Sequence, residues 1–358
     1  MLVRKEILTV KPYIPGKPID EVKRELGLRR VDKLASNESA YGPSPEVVKV
    51  LKEAAGEVYR YPDGQCYYLR RLLAKRLGVR PDELVFGNGS DELIILTLRA
   101  FLARGEEVVV ARPSFQIYEI AAKIAGSRPK VVPLKNFTYD LQAMRRRITR
   151  KTKVIFIANP NNPTGTYVAE HDVRAFLKDL PKECLVFFDE AYFEYADQPD
   201  FPDLLSSPRR PRLIVARTFS KAYGLAGLRV GYCIADPRVA LYLNRVREPF
   251  NVNILAQKAA CAALRDQRHV QKVVGLTRQE KQFLYRAFDR RGVSYIPSAA
   301  NFILFDCRRD SRRVMCDLLK QGVIVRDMAS WGMKTYVRVT VGTRAENKRF
   351  LKALDAVL

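Results

Sequence analysis

From Glu83 to Ala235 the chain repeats one arrangement of apolar and polar positions. A short aliphatic or aromatic run ends in a polar or glycine-rich turn, and several of these turns lead into stretches with helical periodicity. "ELVFG" (83–87) leads into the helical "SDELIILTLRAFL". "EEVVVAR", "KVVPL" and "KVIFIAN" follow, then the helical "AEHDVRAFLKDL" and the runs "CLVFFDEAYFEY", "RLIVART" and "LRVGYCIA". Strand-like runs this continuous are covered on both faces. Their alternation with helices predicts an α/β fold with a mainly parallel, mixed sheet flanked by helices. From about Asn253 to Arg290 helical periodicity dominates. Beyond Gly292 the pattern changes to "VSYIP", "NFILFD", a helical "SRRVMCDLLKQG", "VIVRD", "YVRVTV" and a last helix, which reads as a smaller α/β unit. The predicted organisation has an N-terminal arm and part of a small domain in 1–50, and a large domain in 51–255. Connecting helices follow in 256–290, then the small C-terminal domain in 291–358.

Charge adds one question to this picture. The 63 Lys and Arg residues exceed the 39 Asp and Glu residues by 24, so the partner could be anionic. Two basic clusters occur, "MRRRITRKTK" (144–153) and "PRRPRL" (208–213). Neither is interleaved with aromatic residues, and basic residues run along the whole chain. That is the pattern of a solvated basic surface, attractive to small anions, and not of a nucleic-acid interface. No run approaches the roughly 18 apolar residues of a membrane helix. The opening "MLVRKEILTVKPYIPGKP" has no signal-peptide apolar core, so a cytoplasmic protein is expected. The six cysteines never form CxxC, and free, buried thiols are expected. Two histidines, His171 and His269, leave little material for a His-rich zinc site or a Ser-His-Asp triad, and no metal is expected.

In open α/β sheets ligands bind beyond the carboxyl ends of the strands, and unusual polar residues collect there. "GNGSDE" (87–92) puts glycines at a strand-to-helix turn. The amides of Ser90 and Asp91, at the positive end of the helix dipole, can hold a phosphate, or Ser90 can simply cap the helix. "NPNNPTG" (159–165) is a rigid turn that either aims an asparagine into a cleft or bonds to itself. "LVFFDEAY" (185–192) ends a continuous apolar run in Asp189. A carboxylate there either caps the strand's exposed end or faces a buried cation, with the Tyr192 phenol close by. In "RTFSKAYGLAGLR" (217–229), Lys221 is preceded by the Thr218 and Ser220 hydroxyls and followed by Arg229, a set suited to an amine nucleophile beside a phosphate. With an aromatic such as Phe115 added, these features point to pyridoxal phosphate. That cofactor needs a Schiff-base lysine, a partner for its pyridinium nitrogen and a phosphate cup.

On these residues the sequence resembles the fold-type I pyridoxal-phosphate-dependent aminotransferases, class II. Within them it looks most like the histidinol-phosphate aminotransferases. The likeness covers nearly the whole chain, through "PYIPGKPIDEVKRELG", "KLASNESAYGPSP", "RYPDG", "GNGSDE", "NPNNPTG", "FFDEAY", "TFSKAYGLAGLRVGY", "REPFNVN", "VIVRDM" and "YVRVTVGT". It implies that Lys221 binds the cofactor covalently and later shuttles the substrate proton. Asp189 would pair with the pyridinium nitrogen, and Asn162 and Tyr192 with the phenolic oxygen. Phe115 would stack on the ring, where the family more often has tyrosine. The Ser90 and Asp91 backbone, Thr218, Ser220 and Arg229 would hold the phosphate, joined by Tyr61 from the neighbouring subunit of a homodimer. Arg338 would grip the substrate's distal anion, with Arg326, Tyr41 and Asn37 lining the same end. "NESAYGPS" departs from the family's "NENPxGPS", which bears on fine specificity around Tyr41.

The reaction implied is amino-group exchange between L-histidinol phosphate and 2-oxoglutarate, giving imidazole acetol phosphate and glutamate, in histidine biosynthesis. An aromatic amino-acid aminotransferase and a threonine-phosphate decarboxylase share the scaffold. A nicotinamide dehydrogenase would need a full GxGxxG, which Glu92 breaks.

Overall fold

The computed structural model describes residues 2–14, 16–178, 180–205 and 211–358. The second basic cluster (208–213) therefore lies partly outside the described residues. The apolar runs of the middle third become one seven-stranded sheet. Its order is Leu84–Gly87, Gly231–Ile234, Leu213–Thr218, Leu185–Asp189, Thr152–Ala158, Glu107–Arg112 and Arg128–Pro133. Gly231–Ile234 runs antiparallel to both its neighbours, and the remaining pairs are parallel. Phe156, Phe187 and Phe188 are fully buried between the sheet and its flanking helices, as expected where strands have no solvent face.

Register decides where the chemistry falls. Ala158, Asp189 and Ala216 are successive cross-strand partners, and Thr218 pairs with Gly231, itself partnered by Gly87. The carboxyl ends of the parallel strands thus stand in one row. The helix Ser90–Phe101 begins beside that row, with Gly89 ahead of it in a left-handed conformation (φ 79°).

The C-terminal third forms a four-stranded antiparallel sheet in the order Arg326–Asp327, Tyr336–Thr340, Phe302–Asp306 and Tyr295–Ile296. "VIVRD", expected as one strand, is divided. Val323–Ile324 pairs in parallel with Asp32–Lys33, and Arg326–Asp327 pairs with Tyr336–Thr340. The run has a different partner on each side of Val325, so the N-terminal segment is stitched onto the C-terminal sheet. The stretch 253–290 folds as Ile254–Arg265 and Gln267–Asp289, with the Asp266 side chain capping the second helix by accepting from the His269 amide at 3.2 Å. Leu284, Phe288, Phe305 and Phe350 close the core between that helix and the small sheet.

All six cysteines are free. Four are buried, but Cys261 is only partly so and Cys316 is exposed. Helical periodicity turns Cys316 to the outer face of Ser311–Lys320, whose buried stripe is Ser311, Val314 and Leu318. Among the described residues no cluster of His, Cys, Asp or Glu is fit to hold a metal, and no helix is long and apolar enough to cross a membrane.

Candidate active site

One cavity of about 160 Å³ opens above the row of strand ends. Of the site residues anticipated above, all but Tyr41 and Tyr61 line it. Asp189 is buried at its floor. Its carboxylate accepts from the Tyr118 hydroxyl at 2.6 Å and from the Ala191 amide at 3.1 Å. Burial pushes the carboxyl up to about 6, against the pull of the Tyr118 hydrogen bond. Lys221 is partly buried, and its Nζ donates to Ser36 O at 3.4 Å. Loss of hydration, reinforced by the Arg338 charge, lowers its amine to about 8. A neutral amine is therefore accessible near neutral pH, which an unperturbed lysine does not offer.

The end of the cavity at Ser90 is framed by backbone. A side chain on Gly231 would put its Cβ 2.7 Å from the Ser90 amide, and one on Gly89 would run into the Arg229 guanidinium. The glycines thus leave the helix N-terminus and Arg229 open to the cavity. Thr218 and Ser220 hydroxyls lie 3.0 Å apart beside them. Arg229 makes only a loose contact with Asp91, 3.3 Å between half-exposed side chains. Phe115 and Tyr118 meet edge to face, with centroids 5.6 Å apart.

At the other end, Arg326 and Arg338 are direct cross-strand partners. Arg338 is buried. It donates to Asn162 Oδ1 and, at 2.7 Å, to Ala35 O, while its Nε has no hydrogen-bond partner. Arg326 donates to Ile14 O at 2.5 Å and lies over the Tyr13 and Trp331 rings, 5.6 and 5.2 Å from their centroids. Asp327 does not take up Arg326: its carboxylate caps the next turn, accepting from the Ala329 amide at 3.0 Å. Asn37, at φ 55°, donates through Nδ2 to the Tyr192 hydroxyl at 2.9 Å, and its amide donates to Thr340 Oγ1 at 2.9 Å.

Tyr41 and Tyr61 stand apart from this cavity. Tyr41 lies among Glu280, Glu346 and Arg344, and burial pushes its phenol up to about 12. Gly42 explains the diversion: it turns at φ 67°, and its carbonyl packs against Gly224 and accepts from His269 Nε2 at 3.2 Å when that nitrogen carries the proton. Tyr61 is 82% exposed and stacks on Phe250 at 4.8 Å. Tyr13 and Tyr118 line the cavity without having been anticipated. Tyr118 sits on the apolar stripe of Ile117–Ile124, where periodicity marks core and nothing in the sequence marks a hydroxyl aimed at Asp189.

Sheet and cavity together define an α/β enzyme organised around a lysine amine. The chain belongs to the aminotransferase class I and II family, whose model matches residues 29–354. It is 50% identical over 357 residues to the histidinol-phosphate aminotransferase of Moorella thermoacetica, covering 99% of this chain and 92% of that one. It is 47% identical over 359 residues to histidinol-phosphate aminotransferase 2 of Carboxydothermus hydrogenoformans, covering 100% and 99%. Its fold matches the crystal structure of the Sinorhizobium meliloti histidinol-phosphate aminotransferase in complex with pyridoxal 5'-phosphate. The TM-score is 0.91 at 30% identity, over 99% of this chain and 97% of the other. Family membership makes the chain a pyridoxal-phosphate-dependent transaminase.

The residues present fit that cofactor. Asp189 is a buried carboxylate paired with neutral donors and raised by burial, so a cationic ring nitrogen would complete it. The open helix N-terminus, two hydroxyls and Arg229 suit a phosphate monoester.

Proposed function

We propose that this transaminase exchanges the amino group of L-histidinol phosphate with 2-oxoglutarate, as a cytoplasmic homodimer serving histidine biosynthesis. The observation that carries the substrate is the arginine pair. Arg326 and Arg338 oppose each other at the cavity, and among the described residues neither has a carboxylate partner. Two facing guanidiniums repel: burial lowers the Arg338 pKa, and the Arg326 charge adds a smaller push in the same direction. A dianionic phosphate relieves that repulsion, whereas an amino acid with a single carboxylate, such as phenylalanine, needs one arginine. Relatives of this name match almost the whole chain, which supports the same reading.

Bound pyridoxal phosphate supplies an electron sink for the pair released when the substrate carbon loses its proton. Asp189, oriented by Tyr118 and the Ala191 amide, would keep the ring nitrogen protonated. Asn162 and Tyr192, themselves held by Arg338 and Asn37, address the ring's phenolic oxygen. Ser90, Asp91, Thr218, Ser220 and Arg229 would hold the phosphate, and Phe115 would pack against the ring. Lys221 anchors the cofactor, and its amine carries the proton to and from the substrate carbon. Arg326 and Arg338 fix the far end of the substrate so that the reacting bond meets Lys221. The two sheets, meeting at this cavity, support the division into 1–50, 51–255, 256–290 and 291–358.

In the dimer, exposed Tyr61 would reach the neighbouring subunit's phosphate site. A mixture of Tyr61→Ala and Lys221→Ala chains should then recover part of the activity, because one site of the heterodimer keeps both residues. Full activity of a monomer would defeat this arrangement. The substrate is tested by a single turnover of the cofactor-loaded enzyme. L-histidinol phosphate should convert the bound cofactor's visible band at least about tenfold more efficiently than phenylalanine, and equal or better conversion by phenylalanine would defeat the substrate assignment.

A further inference from the structure

The residue after Asp189 faces the other way. Glu190 continues the ladder, its amide donating to Ala216 O at 2.8 Å, so strand alternation turns its side chain to the opposite face of the sheet. Arg217 follows Ala216, the partner of Asp189, and turns to the same face as Glu190. There Arg217 Nε donates to Glu190 Oε2 at 2.8 Å, between side chains 5% and 0% exposed. The guanidinium carbon lies 3.4 Å from the centroid of the Phe193 ring, and Tyr232 is the cross-strand partner of Arg217. The preceding residues of both strands are apolar and buried, from Leu185 to Phe188 and from Leu213 to Ala216. The charges here are Glu190, which follows Asp189, Arg217, which precedes Thr218, and Glu194, a second carboxylate whose charge bears on Arg217.

Stability is a poor explanation for this pair. Removing two charges from water costs more than their attraction returns unless every polar atom is matched. Here Glu190 Oε1 and Arg217 Nη2 have no hydrogen-bond partner. What the pair spans is the gap between two strand ends. It ties the end of Leu185–Asp189 to the end of Leu213–Thr218, and the second of these leads straight into the turn of Ser220 and Lys221. We propose that Glu190 and Arg217 are positioning residues, clamping from behind the sheet the spacing between Asp189 and the Thr218–Lys221 turn. The proposal rests on the reading that Asp189 and Lys221 flank the cofactor. Sites of this kind tolerate errors of only about 0.5 Å, and a buried ion pair across the two strand ends, Arg217 Nε to Glu190 Oε2, restricts their relative movement.

The test compares Glu190→Gln, Arg217→Lys and the paired apolar variant Glu190→Leu/Arg217→Leu with the wild type. Three properties are read: thermal midpoint, cofactor release rate, and the pH midpoint of the bound cofactor's visible band. The single variants should release cofactor at least about tenfold faster and lower kcat about tenfold, with KM changed less than about threefold. They should also shift the band's pH midpoint by about half a unit or more, a displacement that lost stability alone does not produce. The apolar pair should recover thermal stability and leave both cofactor properties displaced. Recovery of all three properties by the apolar pair, or wild-type cofactor behaviour in the single variants, overturns the clamp. So does failure of every variant to fold, since the pair is then a stability element. Borohydride labelling of the wild type separates the two levels. A label absent from Lys221 defeats the underlying reading, whereas a label at Lys221 with unperturbed variants defeats only the clamp.

Discussion

At the inner end of the cavity, Asp189, Thr218 and Ser90 stand on neighbouring strand ends or on the helix beside them. At the outer end, Asn37 is held by Thr340, a contact 303 residues apart in the chain, and Arg326 is held by the arm at Ile14. The inner end inherits the side-by-side placement of Asp189 and Thr218 from the register of one sheet. The outer end is assembled from the N-terminal segment, Arg326–Asp327 and Tyr336–Thr340, joined by side-chain and carbonyl contacts. On the proposed reading, cofactor chemistry falls to the half set by one sheet's register, and substrate choice to the half joined by side-chain contacts that single substitutions can remodel.

Substitutions should separate the two halves. Asp189→Asn attacks the inner end and is expected to have the largest effect, lowering kcat on every amino donor by at least about a hundredfold. The same residue predicts a pH effect. Its carboxyl, raised to about 6 in the cofactor-free protein, must be ionised to pair with a cationic ring. The stabilisation conferred by cofactor is then full above pH 6 and shrinks as pH falls through about 6. Thermal melts with and without cofactor should show that decline in the wild type and not in Asp189→Asn. A flat wild-type profile contradicts the pairing.

Arg326→Ala attacks the outer end and should act on one substrate class. A loss of at least about tenfold in kcat/KM for histidinol phosphate, with little change for phenylalanine, is expected from one lost charged hydrogen bond. Equal losses would place Arg326 in the wall of an aromatic aminotransferase. Tyr118→Phe is the finest probe. Its hydroxyl opposes the rise of the Asp189 carboxyl, so its removal should move the pH threshold of cofactor stabilisation upward and cost only about threefold in kcat. An unmoved threshold would show that the ring nitrogen is served without this hydroxyl.

The same contrast explains what the sequence disclosed. The strands, the helix start at Ser90 and the inner residues were legible because apolar runs end abruptly in polar residues whose burial demands a partner. Arg326 and Arg338 were legible as candidates, and their cross-strand pairing needed only that two predicted strands be neighbours. Tyr118 was hidden because its position matches a core stripe, and Tyr13 because nothing in the sequence says where an arm folds back. Tyr41 was expected at the substrate end from resemblance alone. Its place beside Glu280 and Arg344 depends on how the turn at Gly42 packs on Gly224, a contact no local pattern encodes. Glu190 sits in plain view in "FFDEAY", but alternation separates it from Asp189 only once the ladder is known to continue past the strand end.

The proposed chemistry turns on Lys221, whose amine is lowered by burial and by Arg338. The direct measurement is borohydride reduction of the pyridoxal-phosphate-loaded protein, followed by peptide mapping. The visible band should bleach, and one stable label should lie on the peptide containing Lys221. Capture of added cofactor by the stripped protein should quicken as pH rises through about 8, where the amine loses its proton. A label on any other lysine, or no label on the loaded protein, would contradict this role of Lys221.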